Sequence, residues 1–428
     1  MSDTIFALSS GAPPAAIAVI RISGAGAFPA VERLAGAVPS PRRASLRRLR
    51  DAGGELDRAI VLVFPGPETA TGEDLAELHL HGGRAVVRAV EVALAAMPGL
   101  RRAEPGEFTR RALEAGRIDL TEAEGLADLL AAETEGQRRA AMRTAEGGVR
   151  RRIEEWQARA LTLSAMVEAI LDHSDEEDLA QEAAILSDVR ARAASLADEI
   201  DAVVNQPPVE RLHDGVRVVL AGPPNAGKST LLNAMSGREA AIVSDIAGTT
   251  RDRIEVPVTR EGLAYVLTDT AGLHDLPVDQ VERIGIDRAR EALEMADIVL
   301  WLDEARSPSG LAGAVIEIAA KSDLSVPVQG DRLAVSGRTG AGVAALWRHV
   351  GEIAAELVPG ADALALNRRQ RDLASQAGHA LGSVALEPDL LLVAEQLRTA
   401  LRAFDRITGR ADTEAMLDAL FARFCIGK

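Results

Sequence analysis

Hydrophobic and polar positions follow three different patterns along the chain. In the first part, short apolar runs bounded by Gly and Pro at residues 15–22, 59–64 and 75–80 predict β-strands. Helical spacing over residues 84–97, which ends at a Pro-Gly pair, predicts a helix. The first part of the chain is therefore expected to form an α+β domain.

The second pattern has the period of an α-helix and occupies residues 121–205 and the chain after Pro359. One face of the first stretch carries Trp156, Ala160, Leu163, Val167 and Ile170. In the second stretch, Leu397, Leu401 and Phe404 share one face, and Leu417, Phe421 and Phe424 share another. A tail of about 70 residues is short for an independent core. We therefore expect the two stretches to pack together as one discontinuous helical domain.

The third pattern, over residues 216–358, alternates apolar strand-like runs with helical stretches. The runs at 216–221, 264–268 and 298–302 are typical of a parallel sheet with crossover helices. We therefore expect a multidomain protein, α/β plus all-α, in which an α/β domain is inserted into the helical domain. The predicted boundaries are 1–116 for the N-terminal domain, 117–210 with 360–428 for the helical domain, and 211–359 for the inserted domain.

Composition and charge limit the classes of function that the chain can have. The chain has 428 residues, which corresponds to roughly three domains. It carries 48 basic and 64 acidic residues, and the net charge of −16 argues against a surface built mainly to hold nucleic-acid phosphates. Arginines crowd residues 42–50, and we interpret this stretch as a solvated Arg-rich loop.

Localisation follows from three further observations. The single cysteine, Cys425, excludes an intrachain disulfide and fits a reducing compartment. The uncharged stretch 4–20 is not interpreted as a signal peptide, because Asp3 precedes it and Gly and Pro interrupt it. No run reaches the roughly 18 apolar residues of a membrane span. We expect a soluble, cytoplasmic protein with no membrane contact.

Residues 222–229 have the sequence G-P-P-N-A-G-K-S, between a predicted strand and a predicted helix. The spacing G-x-x-x-x-G-K-[ST] in this setting predicts a phosphate-binding loop. Its glycines let backbone amides surround the phosphates, and the helix N-terminus adds a positive dipole end. Lys228 is expected to reach the β- and γ-phosphates, and Ser229 to ligate magnesium.

Four shorter motifs follow in the order found in GTPases. They are G-T-T-R-D at 248–252, D-T-A-G at 269–272, A-K-S-D at 320–323 and S-G-R at 336–338. The first supplies a threonine for magnesium, and Asp269 can hold the same ion through water. The Gly272 amide can meet the γ-phosphate, and Asp323 can accept hydrogen bonds from N1 and N2 of guanine. With the phosphate-binding loop, these motifs predict a Ras-like P-loop GTPase domain that uses GTP and Mg²⁺.

Two positions depart from the usual GTPase pattern. Ala320 replaces an Asn, which removes a hydrogen bond to the base and a tie to the phosphate loop, and one such bond contributes about 1 kcal/mol. Leu273 stands where Ras-like switches use a Gln to orient the attacking water, and a leucine cannot do so. Glu282 is the best polar substitute, although a lone Glu in a helix is more often a solvated surface residue.

Segments outside these motifs add a second source of information. They are residues 3–5, 18–24, 71–74, 77–83, 103–112, 117–120, 367–368 and 425–428. The most specific are P-G-E-F-T at 105–109 and the terminal C-I-G-K. Together with the GTPase motifs, they resemble the MnmE (TrmE) family of bacterial tRNA-modification GTPases over essentially the whole chain.

The resemblance implies a potassium-activated GTPase that acts in tRNA wobble-uridine modification. It implies an N-terminal domain that binds a one-carbon carrier, 5,10-methylenetetrahydrofolate or 5-formyltetrahydrofolate, and that mediates homodimerisation. It also implies a helical domain interrupted by the GTPase domain. The homodimer would work with the FAD protein MnmG (GidA), in a heterotetramer or larger complex. Together they would place an aminomethyl or carboxymethylaminomethyl group on the wobble uridine of certain tRNAs.

The resemblance and the motifs assign site residues. Folate contacts are implied for Arg21, Glu77, Arg117 and Lys428. The implied potassium ligands are Asn225, Thr249 and the carbonyls of Ser244 and Ile246, and the magnesium ligands are Ser229 and Thr250. The catalytic residues are Glu282, which would orient the water, Lys228, and Cys425 near the folate or the modification centre. The GTP-binding set is Asn225, Ala226, Gly227, Lys228, Ser229, Thr230, Ser244, Asp245, Ile246, Ala247, Gly248, Thr249, Thr250, Asp269, Thr270, Ala271, Gly272, Lys321, Asp323, Ser336, Gly337 and Arg338.

Three competing interpretations stay in view. Glu77, His79 and His81 alternate and would share one strand face, which is a weak signal for a metal site. A lone cysteine such as Cys425 is usually a small buried residue, and C-I-G-K has only a superficial likeness to a prenylation box. The whole protein could instead be a regulatory GTPase switch that binds ribosomal RNA, but the charge of −16 opposes an appended basic domain.

Overall fold

The described residues form two six-stranded β-sheets and a series of helices. The computed structural model describes residues 3–172, 179–237, 255–270, 290–303, 305, 307–324, 332–360, 363–411, 414–422, 424 and 426–427. Contacts divide the chain into unit 1, comprising Met1–Ala127, Thr144–Glu154 and Phe404–Lys428, and unit 2, comprising Asp128–Arg143 and Glu155–Ala403. No helix within the described ranges combines the length and the apolar character needed to cross a lipid bilayer.

Unit 1 is built on the first sheet. Its strands are β1 (Thr4–Leu8), β2 (Ile17–Ser23), β3 (Ser45–Asp51), β4 (Gly54–Phe64), β5 (Leu75–His81) and β6 (Leu100–Arg102). They lie in the order β3-β4-β5-β2-β1-β6, and all neighbours are antiparallel except β1 and β6. Alternate apolar residues of β2, β4 and β5 form one core with helices α1 (Ala27–Ala35) and α2 (Arg84–Ala95). A third helix, α3 (Glu107–Glu114), follows β6. The predicted strands and helix are confirmed here, with shifted ends.

The Arg-rich stretch is the exception, because the solvated loop predicted there is wrong. Its second half forms β3, which is the edge strand of the sheet and pairs with β4 from Ser45 to Asp51. Leu49 is fully buried, but it is the only buried position of the strand, in which four of the seven positions are exposed. Pairing with β4 therefore decides the conformation where the hydrophobic pattern is too weak to reveal it.

After α3, five more helices precede the second sheet in the described part of the chain. They are α4 (Leu120–Ala131), α5 (Glu135–Ala145), α6 (Gly148–Asp172), α7 (Leu179–Val204) and the short α8 (Glu210–Asp214). The apolar face predicted from Trp156 to Ile170 is buried at all five of its positions, as expected. Within unit 2, the Trp156 indole Nε1 donates to the Glu199 carboxylate at 2.9 Å, which ties α6 to α7.

Unit 2 contains the second sheet, which has the predicted parallel arrangement. Its strands are β7 (Val216–Ala221), β8 (Glu255–Arg260), β9 (Leu263–Asp269), β10 (Ile298–Trp301), β11 (Ala314–Ala320) and β12 (Leu333–Val335). Their order is β12-β11-β10-β7-β9-β8, and only the β8–β9 pair is antiparallel. Helices α9 (Lys228–Ser236) and α10 (Val343–Leu357) pack on it, and Trp347 meets Tyr265 edge-on with ring centroids 5.1 Å apart.

The last helices of the described ranges are α11 (Arg368–Leu386), α12 (Leu390–Thr408) and α13 (Glu414–Phe421). Within unit 2, α11 packs along α7, as expected for helices of the C-terminal stretch. Gly378 allows this approach, since a Cβ at that position would lie 3.3 Å from Ile200. Arg398 of α12 donates to Glu168 of α6 at 2.6 Å.

In unit 1, the last described residues pack on the start of the chain. A Cβ at Gly106 would lie 2.7 Å from the Phe421 carbonyl oxygen, so α13 sits directly against this glycine. Pro105 and Ile426 form an antiparallel bridge, and Ser9 Oγ donates to the Gly427 carbonyl at 2.8 Å. Ile426 and Gly427 are therefore held by Pro105 and by Ser9, which follows β1 directly.

One buried side chain fixes the first turn of α5 within unit 2. Gln137 is 4% exposed, and its Oε1 accepts hydrogen bonds from the Glu133 and Thr134 amides at 2.7 and 2.8 Å. Its Nε2 donates to the carbonyls of Leu212 and His213 at 3.0 and 3.1 Å. One amide group thus caps the N-terminus of α5 and satisfies the last carbonyls of α8, immediately before β7.

We predict that Gln137→Ala lowers the free energy of unfolding by about 2–4 kcal/mol, because buried amides and carbonyls lose their partners. Gln137→Glu keeps both acceptor bonds but points a carboxylate at two carbonyls, which raises the pKa of that carboxyl group. Its stability deficit relative to the wild type should therefore be largest near pH 8 and should shrink as the pH falls through the raised pKa.

Denaturant unfolding of the wild type and both variants at several pH values measures these differences. Wild-type stability in the Ala variant, or a deficit of the Glu variant that does not depend on pH, would contradict this role of Gln137.

Candidate functional site

The phosphate-binding loop connects β7 to α9 at the carboxyl edge of the second sheet. The backbone adopts the left-handed conformation at Asn225 (φ 63°) and Gly227 (φ 101°), and the Ala226 amide donates to the Pro223 carbonyl. No side chain in the described ranges caps the N-terminus of α9, which begins at Lys228. Its first backbone amides are therefore available to an anion, and the helix dipole favours one.

Lys228 is almost completely buried beneath this loop, with 4% exposure. Its Nζ donates to the carbonyl oxygens of Gly222 and Pro223 at 2.8 and 2.9 Å. Burial lowers the pKa of the ammonium group, and the negative charge of Asp269 opposes that shift. The ammonium group is therefore held against the loop by weakly basic partners, which the stronger acceptor oxygens of a polyphosphate can replace.

Ser229 and Asp269 converge on one point beside the loop. Asp269 ends β9 and is buried, and Ser229 Oγ donates to its Oδ2 at 2.5 Å. A hydroxyl and a carboxylate are oxygen donors of the kind that Mg²⁺ prefers, so these two residues fit a magnesium ion. The neighbouring Thr270 has another role, because its Oγ1 donates to the Leu220 carbonyl at 2.9 Å and fastens the end of β9 to β7.

A cavity of about 230 Å³ lies next to the phosphate-binding loop. Its lining includes Gly227, Thr230, Lys321, Asp323, Gly337 and Arg338, all of them predicted GTP-binding residues. Gly337 passes so near the start of α9 that a Cβ would lie 2.8 Å from the Leu231 amide nitrogen. This glycine therefore allows the loop that contains the S-G-R motif to approach the helix.

Asp323 is oriented by the remaining predicted base-site residue, Ser336. The fully buried Ser336 hydroxyl donates to Asp323 Oδ1 at 2.7 Å and accepts from the Thr339 amide at 3.2 Å. The Ser336 hydrogen bond, above all, holds the pKa of Asp323 below its ordinary value. The carboxylate is thus ionised at neutral pH and can accept two N–H groups of a guanine.

Lys321 joins the base cavity to the phosphate-binding loop. It adopts a left-handed backbone conformation (φ 59°), and its Nζ donates to the Asn225 carbonyl at 2.6 Å. Ala320 ends β11 and packs against the hydrophobic core of the sheet. An alanine side chain has no donor or acceptor, so Lys321 supplies the side-chain tie between the two loops within the described residues.

In unit 1, the predicted folate residues Arg21 and Glu77 lie directly opposite each other on β2 and β5. Arg21 donates to Glu77 Oε1 through Nη2 at 3.0 Å and through Nε at 3.2 Å, and His79 Nε2 contacts Glu77 Oε2 at 3.1 Å. Burial acts to raise the pKa of Glu77, but the hydrogen bonds from His79 and Arg21 outweigh it and keep the pKa low. The Arg21 guanidinium also lies 5.9 Å from the centre of the Phe108 ring.

Arg117, the third predicted folate residue, is exposed beside the loop that contains the T-G-E-D motif. A Cβ at Gly72 would lie 3.6 Å from its Cγ. Ser23, two residues after Arg21, is hydrogen-bonded to Thr71 and Glu73, at 2.7 Å in each case. Neither partner is a predicted site residue: the T-G-E-D motif marks their segment, but their pairing with Ser23 depends on tertiary packing.

The possible metal site on β5 has a different explanation. His79 pairs with Glu77, and His81 pairs with Asp57 on β4 at 2.7 Å. Across the described residues, no group of three or more His, Cys, Asp and Glu side chains is arranged to hold a metal ion.

Several predicted site residues lie outside the part of the chain that the structure describes. They are Ser244, Asp245, Ile246, Ala247, Gly248, Thr249, Thr250, Ala271, Gly272, Glu282, Cys425 and Lys428. Their roles stay predictions.

Comparison with known proteins covers the whole chain. The family model for the MnmE helical domain matches residues 120–425, and the model for the N-terminus of the GTP-binding protein TrmE matches residues 4–117. The chain is 57% identical over 431 residues to the tRNA modification GTPase MnmE of Erythrobacter litoralis, covering 100% of both. It is 58% identical over 433 residues to the same protein of Rhizorhabdus wittichii, covering 100% of this chain and 97% of the relative. A solved structure of the T. maritima FeoB iron transporter G domain is 24% identical, with a TM-score of 0.24, over 32% of this chain and 98% of that one.

We predict that Ala320→Asn tightens GDP binding roughly fivefold, because the amide can add a hydrogen bond to the base or to the phosphate-binding loop. Calorimetric titration of the wild type and the variant measures the change. The matched control is Ala319→Asn, one position earlier on β11, which should leave the affinity unchanged. Unchanged or weaker GDP binding by Ala320→Asn would mean that another group already fills the place of the Asn.

Proposed function

The chain belongs to the MnmE family, and we propose that it hydrolyses GTP and modifies the wobble uridine of certain tRNAs. The observation that carries the GTPase assignment is the contact between Lys321 and the Asn225 carbonyl. It joins a cavity with the Asp323 carboxylate in its lining, which suits a guanine, to an anion-binding loop, so one ligand with a guanine base and a polyphosphate would fill both. The name of these relatives, tRNA modification GTPase, supports the same activity.

The nucleotide contacts divide among the described residues by their chemistry. Lys228 and the first amides of α9 bind the phosphates, and Asp323 reads the base. Ser229 and Asp269 hold magnesium together with Thr250, the first two supported by the 2.5 Å contact of their oxygens. The ion, when bound, neutralises charge on the terminal phosphates.

Hydrolysis needs a group that orients water and a group that stabilises charge near the bridging phosphate oxygen. We assign the first role to Glu282, because Leu273 has no polar atom in its side chain. We assign the second to a potassium ion held by Asn225, Thr249 and the carbonyls of Ser244 and Ile246. The left-handed backbone at Asn225, fastened by Lys321, supports this assignment by fixing the position of one ligand.

The N-terminal unit is the proposed site of a tetrahydrofolate one-carbon carrier. Arg21 and Arg117 suit the anionic glutamyl tail of such a carrier, and the Glu77 carboxylate can accept from its pterin amino groups. The low pKa of Glu77 supports this, because an ionised carboxylate is the better acceptor. Lys428 and Cys425 complete the proposal, with Cys425 near the folate or the modification centre.

The proposed assembly is a homodimer that works with the FAD protein MnmG in a heterotetramer or larger complex on tRNA. Because tRNA is the proposed substrate, we expect the protein to act in the cytoplasm. The proposed domains are 1–116 for folate and dimerisation, 117–210 with 360–428 for the helices, and 211–359 for GTP.

We predict that Arg21→Ala weakens 5-formyltetrahydrofolate binding about tenfold or more, because it removes a charged donor. GTP binding should not change, since its residues lie on the second sheet. Fluorescence titration with the folate compares this variant with Arg88→Ala, which removes an exposed arginine of the same unit. Equal folate affinity in wild type and Arg21→Ala would remove Arg21 from the site.

We predict that single-turnover GTP hydrolysis is much faster in potassium than in sodium, because an ion beside the bridging oxygen acts on the transition state. In potassium, Glu282→Ala should lower the rate about a hundredfold with little change in nucleotide affinity. The control is Glu294→Ala, a change of an exposed carboxylate. Equal rates in the two salts would exclude the potassium role, and an unchanged rate in Glu282→Ala would make Glu282 a surface residue.

A further inference from the structure

Three arginines share the solvent-exposed face of the edge of the first sheet. Arg48 and Arg50 lie on the edge strand β3, and Arg58 lies on its neighbour β4. Leu49 between them is fully buried, so the alternation of a β-strand turns Arg48 and Arg50 to the opposite, exposed face. We call Arg48, Arg50 and Arg58 the arginine face.

Like charges meet directly on this face. The register places Arg48 opposite Arg58, and such a cross-strand pair destabilises a sheet unless a counter-charge compensates it. The nearest compensation is Glu55, which accepts a hydrogen bond from Arg58 at 3.0 Å. The Arg58 hydrogen bond, with the charges of Arg58, Arg48 and Arg50, holds the pKa of Glu55 below its ordinary value. Within the described part of the chain, Glu55 thus forms an ion pair with Arg58 alone and interacts with Arg48 and Arg50 only through their charge.

The other nearby carboxylates are already engaged. Asp51 accepts from the Gly53 amide at 2.8 Å, and Asp57 accepts from the His81 backbone and ring at 2.8 and 2.7 Å. Among the described residues, no carboxylate forms an ion pair with Arg48 or Arg50. A positive surface therefore persists on a chain whose net charge is −16.

Two exposed apolar side chains continue the same face. Leu46 and Ile60 lie opposite each other and are 70% and 41% exposed. Charged residues on an edge strand also prevent pairing with another sheet. Protection of an edge, however, requires neither three arginines nor charges that are all positive. Arginine forks on an exposed strand pair, beside an apolar patch, match the phosphates and sugars of a nucleic-acid backbone instead.

We propose that Arg48, Arg50 and Arg58 form a docking surface for the phosphate backbone of tRNA. The proposal rests on the proposed function, because it takes tRNA to be the substrate. The spacing supports it: residues two apart on a strand are about 6.8 Å apart, so Arg48 and Arg50 can each reach a separate phosphate. Such contacts position the RNA without reading its sequence.

The test is tRNA binding by the full chain, followed by fluorescence anisotropy of a labelled tRNA transcript between 50 and 200 mM salt. Arg48→Gln/Arg50→Gln should weaken binding about tenfold or more at 100 mM salt and lower the slope of log affinity against log salt by about 2. Arg58 is left in place, so that Glu55 keeps its partner. The matched control is Arg33→Gln/Arg88→Gln, which removes two exposed arginines from helices of the same unit.

The outcomes separate the docking surface from the proposed function. Wild-type affinity and salt slope in Arg48→Gln/Arg50→Gln would overturn the docking surface, and so would an equal loss in the control. Unchanged tRNA binding with altered self-association of the chain would assign the arginine face to an acidic protein surface instead. If the wild type does not bind tRNA, the docking surface is overturned. GTP hydrolysis and 5-formyltetrahydrofolate binding, measured on the same preparations, test the proposed function separately.

Discussion

Parallel pairing in the second sheet is the constraint on which the nucleotide site depends. β7 lies between β9 and β10, with β11 beyond, and all four run in one direction. Their carboxyl ends therefore meet at one edge, where the chain leaves each strand into a loop. Lys228, Asp269 and Asp323 each follow or end a different one of these strands. Residues 96 positions apart in the sequence, such as Asn225 and Lys321, come within hydrogen-bonding distance for this reason.

The sequence was most informative where burial and backbone geometry leave few alternatives. Residues 216–221 were predicted as β7 without error, because a short apolar run before a glycine-rich loop has one common structure. β3 was missed, because its one buried residue does not create a detectable period. The T-x-x-Q pattern at 134–137 is a recognisable helix start, but the bonds from Gln137 to carbonyls 75 and 76 positions away depend on tertiary packing. The pairing of Ser23 with Thr71 and Glu73 was hidden for the same reason.

The motifs of the N-terminal unit also have a structural role. Arg111 is 10% exposed in its side chain and forms ion pairs with Asp3, Glu73 and Glu107. Asp3 lies directly before β1, Glu73 lies in the T-G-E-D loop, and Glu107 lies on α3, the helix that also carries Arg111. One guanidinium group therefore links these three segments. A half-buried group of this kind is stable only when complete, because removing one member leaves a poorly solvated charge. These motifs therefore contribute to folding, independently of the ligand contacts proposed for this unit.

The bond between Lys321 and the Asn225 carbonyl has a consequence for ligand competition. It makes the base cavity and the phosphate-binding loop parts of one rigid frame, so the two ends of a nucleotide bind as a chelate. Once the base is in place, the phosphates meet their loop at a high effective concentration. Guanosine and free polyphosphate each lack this advantage, because each molecule loses its own translational and rotational freedom when it binds. Neither therefore competes well with the intact nucleotide.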